Sequence, residues 1–257
     1  MVDDAVAVDV GVRVVGVEGQ HKGLDIVAVD NAVAGKVSGV QFVCARIGLA
    51  TRAVRLFSED EEFSREYFGD DADHTRSTRA MSAFALHRHG DIEESLAIYR
   101  ELLRERRESL GDLHPKTCVL KLQMSAPLSD AGHDQEIIDL LTPALAVFRS
   151  EYGDTSYYTL GCYKQLSLAL DAAGQSDHAL TLLQSAYKRY TNAGGKRNIY
   201  FASLLYELAK LNYETGAVVR GDELTRPQIE VPSLIPDDQS QMIQKTTDLR
   251  QQYNRLP

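Results

Sequence analysis

Apolar side chains recur along most of the chain with the spacing of one face of an α-helix. Two examples are the series Ile92, Leu96, Tyr99, Leu103 and the series Ala179, Leu183, Ala186, Tyr190. Side chains three and four positions apart lie on the same side of a helix. These segments are therefore predicted to be amphipathic helices that bury one face.

Two interleaved series of glycines repeat every 42 residues. The first is Gly48, Gly90, Gly132, Gly174 and Gly216, and the second is Gly69, Gly111, Gly153 and Gly195. Glycine readily takes the left-handed conformation that ends a helix, and an Asp or Ser just after a first-series glycine can cap the next helix. Each repeat is therefore predicted to be a helix, a tight turn, a second helix and a loop. One such hairpin buries its apolar face only when neighbours stack on it.

The repeat resembles the tetratricopeptide repeat of the kinesin-light-chain type. The resemblance rests on Gly90-Asp91-Ile92 at the turn inside a hairpin, on the connector Leu110-Gly111-Asp112-Leu113-His114-Pro115 and on the 42-residue period. It covers about residues 36–220. It implies an all-α, right-handed superhelical solenoid of about four to five helix-turn-helix repeats.

The copies of the repeat differ in quality. The repeat at 111–152 is degenerate, because Pro127 and Pro143 fall inside predicted helices and Ile137 replaces an expected alanine. The last repeat loses the pattern at Gly221. Residues 221–257 are predicted to hold this degenerate repeat, a linker and a polar capping helix near 237–254.

Residues 1–35 form a leader of different composition, rich in valine and glycine. Valines alternate from Val6 to Val14, which predicts a strand, and Leu24–Val29 could be a second strand. The alternative is a disordered leader or a wrongly assigned start, since a lone two-stranded ribbon is only marginally stable. The first helix pair is predicted at Phe42–Gly48 and Ala50–Arg65.

Composition narrows the classes of partner. The net charge of −9 disfavours nucleic acid, because an acidic chain repels phosphate backbones.

No apolar run is long enough to span a membrane, and the first residues lack the basic region of a secretion signal, so a cytoplasmic location is expected. The three cysteines (Cys44, Cys118, Cys162) are odd in number and far apart, which predicts buried, reduced thiols.

No familiar catalytic, cofactor or metal motif is present in the sequence. The nearest approach to a metal motif is His87-Arg88-His89, but histidines two apart point to different sides of a helix. We therefore expect no metal, no cofactor and no enzymatic activity. His114 is expected to cap a helix.

Two further patterns each have two interpretations. The charged run from Arg100 to Glu108 is either a docking helix or a solvated helix face, and the second is favoured. Tyrosines 152, 157, 158, 163, 187 and 190 form either a stacking surface or inter-helix packing, and packing is favoured.

The resemblance implies a peptide-binding concave face lined by the first helix of each hairpin, with a ladder of asparagines. The asparagines are absent here, and Gln123 and Gln165 stand in the corresponding places. The candidate partner-binding residues on this face are Gln123, Lys164, Gln165, Tyr206, Glu207, Lys210 and Tyr213. A polar inner face without a tight ligand remains the alternative.

The function that these patterns favour is a scaffold that binds a peptide or protein segment on the concave face. The alternative is a sensor or regulatory repeat domain that works with a separate nucleotide-binding switch protein. A third reading, an enzyme site assembled from scattered residues, is the least favoured. The sequence leaves the oligomeric state open.

Overall fold

The computed structural model describes residues 7–8, 12–13, 50–70, 72–196, 198–217, 221, 223 and 238–254. Within these residues nine long helices follow one another: α1 Ala50–Phe68, α2 Asp73–His89, α3 Ile92–Leu110, α4 Pro115–Asp130, α5 Asp134–Tyr152, α6 Tyr157–Ala172, α7 Ser176–Asn192, α8 Ile199–Glu214 and α9 Asp238–Asn254. The predicted all-α architecture is confirmed. So are the helix predicted at Ala50–Arg65 and the final helix predicted near 237–254.

Two short strands, β1 (Ala7–Val8) and β2 (Val12–Arg13), pair antiparallel with Val8 opposite Val12. Val8 and Val12 therefore lie in different strands that pair with each other, so the prediction of one strand running through both is wrong. The predicted strand Leu24–Val29 and the predicted helix Phe42–Gly48 lie outside the described residues.

The chain divides into two compact units, Met1–Ser109 and Leu110–Pro257. In the first unit, α1 packs on α2 through a buried cluster of Ala53, Phe57 and Ala85. Helices α2 and α3 are joined across their turn by the Ser95 hydroxyl, which donates to the Ala83 carbonyl at 2.6 Å. The first unit is therefore held by successive helix-to-helix contacts.

The second unit is built from hairpins whose first helices form a layer of their own. Consecutive helices from α4 to α8 pack on each other, and α4 also contacts α6, α6 contacts α8, and α8 contacts α9. Its main core joins the first helices α6 and α8 to the second helix α7. The buried residues of this core include Leu160, Tyr163, Leu183, Leu204 and Leu208. The layer of α4, α6 and α8 is called here the inner layer.

Two of the helix caps predicted after the first-series glycines are not observed. The residues before α5 and α7, His133 and Gln175, make no side-chain capping bond. The observed caps belong to the first helices and are spaced 42 residues apart: His114, Ser156 and Asn198. The capping role predicted for His114 is confirmed, because its Nδ1 accepts from the Lys116 backbone N–H at 3.2 Å.

A buried threonine near the start of three first helices binds the loop before it. The hydroxyls of Thr75, Thr117 and Thr159 donate to the carbonyls of Gly69, Gly111 and Gly153 at 2.7, 2.9 and 2.7 Å. In the next repeat Phe201 takes this place and stacks on Tyr190, with ring centroids 4.0 Å apart. Gly195 is required there, because a Cβ would clash with the Tyr190 ring, and the left-handed turn falls on Gly194.

The two interior prolines do not interrupt their helices. Helix α4 continues past Pro127 and α5 past Pro143. The fold therefore tolerates the two losses of a backbone donor that mark this repeat as degenerate in the sequence.

The charged run from Arg100 to Glu108 is only partly a solvated face. Arg79 of α2 pairs with Glu101 at 2.7 Å and with Glu105 at 2.9 Å, and the Arg106 side chain is buried. The favoured interpretation is wrong for Glu105 and Arg106, which are half-buried and buried against the preceding helix. It holds for the exposed pair of Arg104 with Glu108.

Candidate functional site

The inner layer carries the residues that the sequence singled out for binding. Gln123, Gln165 and Glu207 are 42 residues apart and stand at equivalent positions on α4, α6 and α8. All three are half-buried, as are Lys164, Tyr206 and Lys210. Six of the seven candidate residues are therefore polar or aromatic side chains with part of their surface open to solvent.

The two glutamines have amide groups available to a ligand. Within the described part of the chain, neither Gln123 nor Gln165 makes a side-chain hydrogen bond. An amide offers both a donor and an acceptor, which is what the backbone of an extended peptide requires.

Glu207 lies among lysines from three different helices. Burial raises the pKa of the Glu207 carboxyl, and Lys164 of α6, Lys210 of α8 and Lys245 of α9 oppose that rise. No described residue lies within ion-pair distance of this carboxylate. Glu207 is therefore a partly desolvated charge close to several cations.

Lys210 joins two helices of the inner layer. Its Nζ lies 3.7 Å from Asp171 Oδ2 on α6 and 3.7 Å from Glu214 Oε1 on α8. Burial lowers the pKa of this ammonium, but the carboxylates of Glu214, Asp171 and Glu207 outweigh that effect, so its pKa is raised. Lys210 therefore has a structural task as well as a place in the candidate site.

Tyr213 does not belong to the open site. Its side chain is 2% exposed and its ring stacks on Tyr253 of α9, with centroids 4.9 Å apart, beside Ala209 and Leu249. The prediction for Tyr213 is corrected, because α9 covers it and leaves no surface for a ligand. Tyr206 borders the same cluster but remains half-buried.

Helix α9 occupies the place of a further first helix. Tyr213 lies 42 residues after Asp171, and Tyr253 lies next to the position 42 residues after Lys210. The stack of Tyr213 on Tyr253 between α8 and α9 therefore corresponds to the ion pair of Asp171 with Lys210 between α6 and α8. In this way α9 continues the inner layer and covers its end.

The tyrosines serve mainly in packing between helices, which is the interpretation that the sequence favoured. Tyr158, Tyr163 and Tyr190 are buried. Tyr152 and Tyr187 are exposed at one edge, while their rings contact Tyr158 and Phe201 at 4.9 and 6.0 Å. The cluster therefore holds helices together rather than forming one open stacking surface.

Little in the described residues suggests other chemistry. No group of three or more His, Cys, Asp or Glu side chains is arranged there to hold a metal ion. His89 Nδ1 instead lies 2.7 Å from Asp91 Oδ2. Cys118 and Cys162 are buried free thiols, and Cys44 lies outside the described residues. Among the helices that are described, none has the length and apolarity needed to cross a membrane.

The fold is similar to that of solved tetratricopeptide-like structures. One is a Podosopora anserina protein described as a kinesin light chain with nearly identical TPR-like repeats, at 14% identity and a TM-score of 0.62 over 84% of this chain and 94% of that one. Another is BtubC (BKLC) from P. vanneervenii, at 15% identity and a TM-score of 0.57 over 88% and 83%. Neither a family model nor a curated protein matches the chain. The resemblance in fold predicted from the repeat is confirmed.

Proposed function

We propose that this protein is an interaction scaffold, and that its inner layer binds a peptide or protein segment. The observation that carries the proposal is the row of Gln123, Gln165 and Glu207, which are equivalent, half-buried and polar on three adjacent helices. Partly exposed polar side chains that make no hydrogen bond or ion pair within the described residues can offer their groups to a ligand.

The chemistry of the row suits an extended segment that crosses the first helices. The amides of Gln123 and Gln165 can hold backbone groups of the segment, one from each helix. Lys164 and Glu207 carry opposite charges near one end of the row and would select for complementary side chains. Because rigid helices hold these groups, the backbone of the scaffold loses little ordering entropy on binding.

The test is affinity capture from native lysate with the full chain as bait, compared with a variant carrying Lys164→Glu and Gln165→Ala. Both side chains are half-buried and make no hydrogen bond or ion pair within the described residues. We expect a protein retained by the unaltered chain to be reduced at least tenfold, about 1.4 kcal/mol in binding free energy, by the variant.

The matched control is Lys188→Glu, which reverses the charge of an exposed lysine on the second helix α7. The control is expected to retain the partner at the level of the unaltered chain, and circular dichroism must show all three proteins equally helical. Equal retention by all three would refute the inner-layer proposal and direct attention to another surface.

A further inference from the structure

An exposed aromatic surface lies near the end of α1, in the first unit. Phe63, Tyr67 and Phe68 are 40%, 74% and 51% exposed. The rings of Phe63 and Tyr67 stack with centroids 5.5 Å apart and planes 13° apart, and the Phe68 ring lies 5.3 Å from that of Tyr67. Contiguous exposed apolar surface of this kind often marks an interaction site.

Comparison with the other second helices separates what the repeat requires from what is particular to α1. An exposed large apolar side chain recurs 42 and 84 residues after Phe68, at Leu110 and Tyr152, so Phe68 belongs to the repeat pattern. The positions equivalent to Phe63 hold Glu105, Val147 and Arg189. Those equivalent to Tyr67 hold Ser109, Glu151 and Ala193. The fold therefore does not require aromatic rings at positions 63 and 67.

Carboxylates flank the two rings on the same side of the helix. Those of Glu59, Glu62 and Glu66 are spaced three or four residues apart on α1, and Asp70 lies just after the helix ends. Two of these carboxylates are already paired: Glu59 lies 3.6 Å from Arg55, and Asp70 lies 2.8 Å from Arg65. Glu62 and Glu66 are exposed, and no described residue forms an ion pair with either. The surface therefore presents two stacked rings and two uncompensated negative charges.

We propose that this surface, formed by Glu62, Phe63, Glu66 and Tyr67 and called here the acidic aromatic stripe, binds an arginine-bearing segment of a partner protein. The guanidinium group is planar, stacks on aromatic faces and forms two parallel hydrogen bonds with a carboxylate. Arginine is the side chain that uses both features of the stripe at once. The net charge of −9 adds a long-range attraction for a basic partner.

The stripe is independent of the inner layer. It lies on α1 in the first unit, whereas the inner-layer residues lie on helices of the second unit. The two proposals can therefore fail separately.

The probe is a short alanine-based peptide with several arginines, labelled with fluorescein, and a twin in which lysine replaces every arginine. Binding to the full chain is measured by fluorescence anisotropy at about 0.15 M salt, where unspecific charge attraction is screened. We expect the arginine peptide to bind more tightly than its twin. Tyr67→Ala and Glu66→Gln should each weaken the binding of the arginine peptide about fivefold. The first removes an aromatic ring on which the guanidinium stacks, and the second removes a carboxylate that it pairs with.

The matched control is Glu93→Gln with Glu94→Gln, which removes two exposed carboxylates from α3 in the same unit. It is expected to bind the peptide as the unaltered chain does. The proposal is overturned if the arginine peptide does not bind, if the lysine twin binds equally well, or if the control weakens binding as much as Glu66→Gln. It is also overturned if sedimentation shows a dimer that Tyr67→Ala dissociates, since a second copy of this chain would then occupy the stripe.

Discussion

At the residue scale, three buried threonines link the start of a first helix to the loop before it. Each of Thr75, Thr117 and Thr159 ties the start of a first helix to the glycine that opens its repeat. The glycines were visible in the sequence as a pattern, and the threonines have the same 42-residue spacing. Their role was not predicted, because a threonine at a given spacing does not reveal which carbonyl its hydroxyl meets.

Thr159→Val tests this role. Valine has nearly the same shape but cannot donate to the carbonyls of Gly153 and Phe148, which lie 2.7 and 3.2 Å from the hydroxyl. We expect the free energy of unfolding in urea to fall by about 1–3 kcal/mol, the cost of unsatisfied buried polar groups. Thr181→Val is the control, because that exposed hydroxyl donates only within its own helix. Equal losses in the two variants would contradict the account.

Glu207 gives a prediction that depends on pH. Burial raises its pKa in the folded state, so the folded protein favours the protonated carboxyl. The stability contribution of this group is complete below the unfolded pKa of about 4.3 and is lost as pH rises through the folded pKa. Glu207→Gln should therefore become more stable relative to the unaltered chain as pH increases from about 4 to about 7. A stability difference that stays constant or shrinks in urea unfolding over that range would contradict it.

At the scale of the element, a segment with helical apolar periodicity forms a helix even where a single residue, such as a proline, disfavours one. Pro143 lies inside α5, and the Thr142 hydroxyl just before it donates to the Ile138 carbonyl at 2.7 Å. The helix persists because its apolar side chains Ile137, Leu141 and Phe148 are fully buried. Tertiary packing therefore outweighs the local cost of the proline.

Replacing Pro143 by alanine restores a backbone donor toward the carbonyl of Asp139. Because Pro143 is exposed, the change leaves no cavity. We expect the free energy of unfolding to rise by about 1–3 kcal/mol. Pro115→Ala is the matched control at the first residue of α4, where a proline costs no hydrogen bond, and it should change stability by less than about 0.5 kcal/mol. A destabilised Pro143→Ala variant would show that the proline serves another purpose.

At the scale of the whole molecule, periodicity predicts which helices exist, but long-range contacts decide what stays exposed. The equivalence of Gln123, Gln165 and Glu207 follows from the 42-residue register alone. The burial of Tyr213 does not, since it depends on α9 returning to α8 from beyond residue 237. A local sequence pattern does not predict a contact between helices that are separated along the chain.

The acidic aromatic stripe could not be predicted from the sequence pattern, because its aromatic residues have the spacing of core residues and are nevertheless exposed. Phe63 and Tyr67 are spaced four apart, which in an amphipathic helix is typical of core residues. Their lack of apolar counterparts 42 residues later was a signal already present in the sequence. The departure of positions 63 and 67 from the repeat pattern is therefore what distinguishes the stripe from the packing surfaces of the other second helices.

The measurement that tests the central claim most directly is site-specific photo-crosslinking in native lysate. The photoreactive residue p-benzoylphenylalanine replaces Leu168, which is half-buried on α6 one turn after Gln165, in one protein and Lys188 on α7 in another. The account predicts a crosslinked partner from position 168 and none from position 188. The same partner crosslinked only from position 188, or equally from both, would contradict binding on the inner layer.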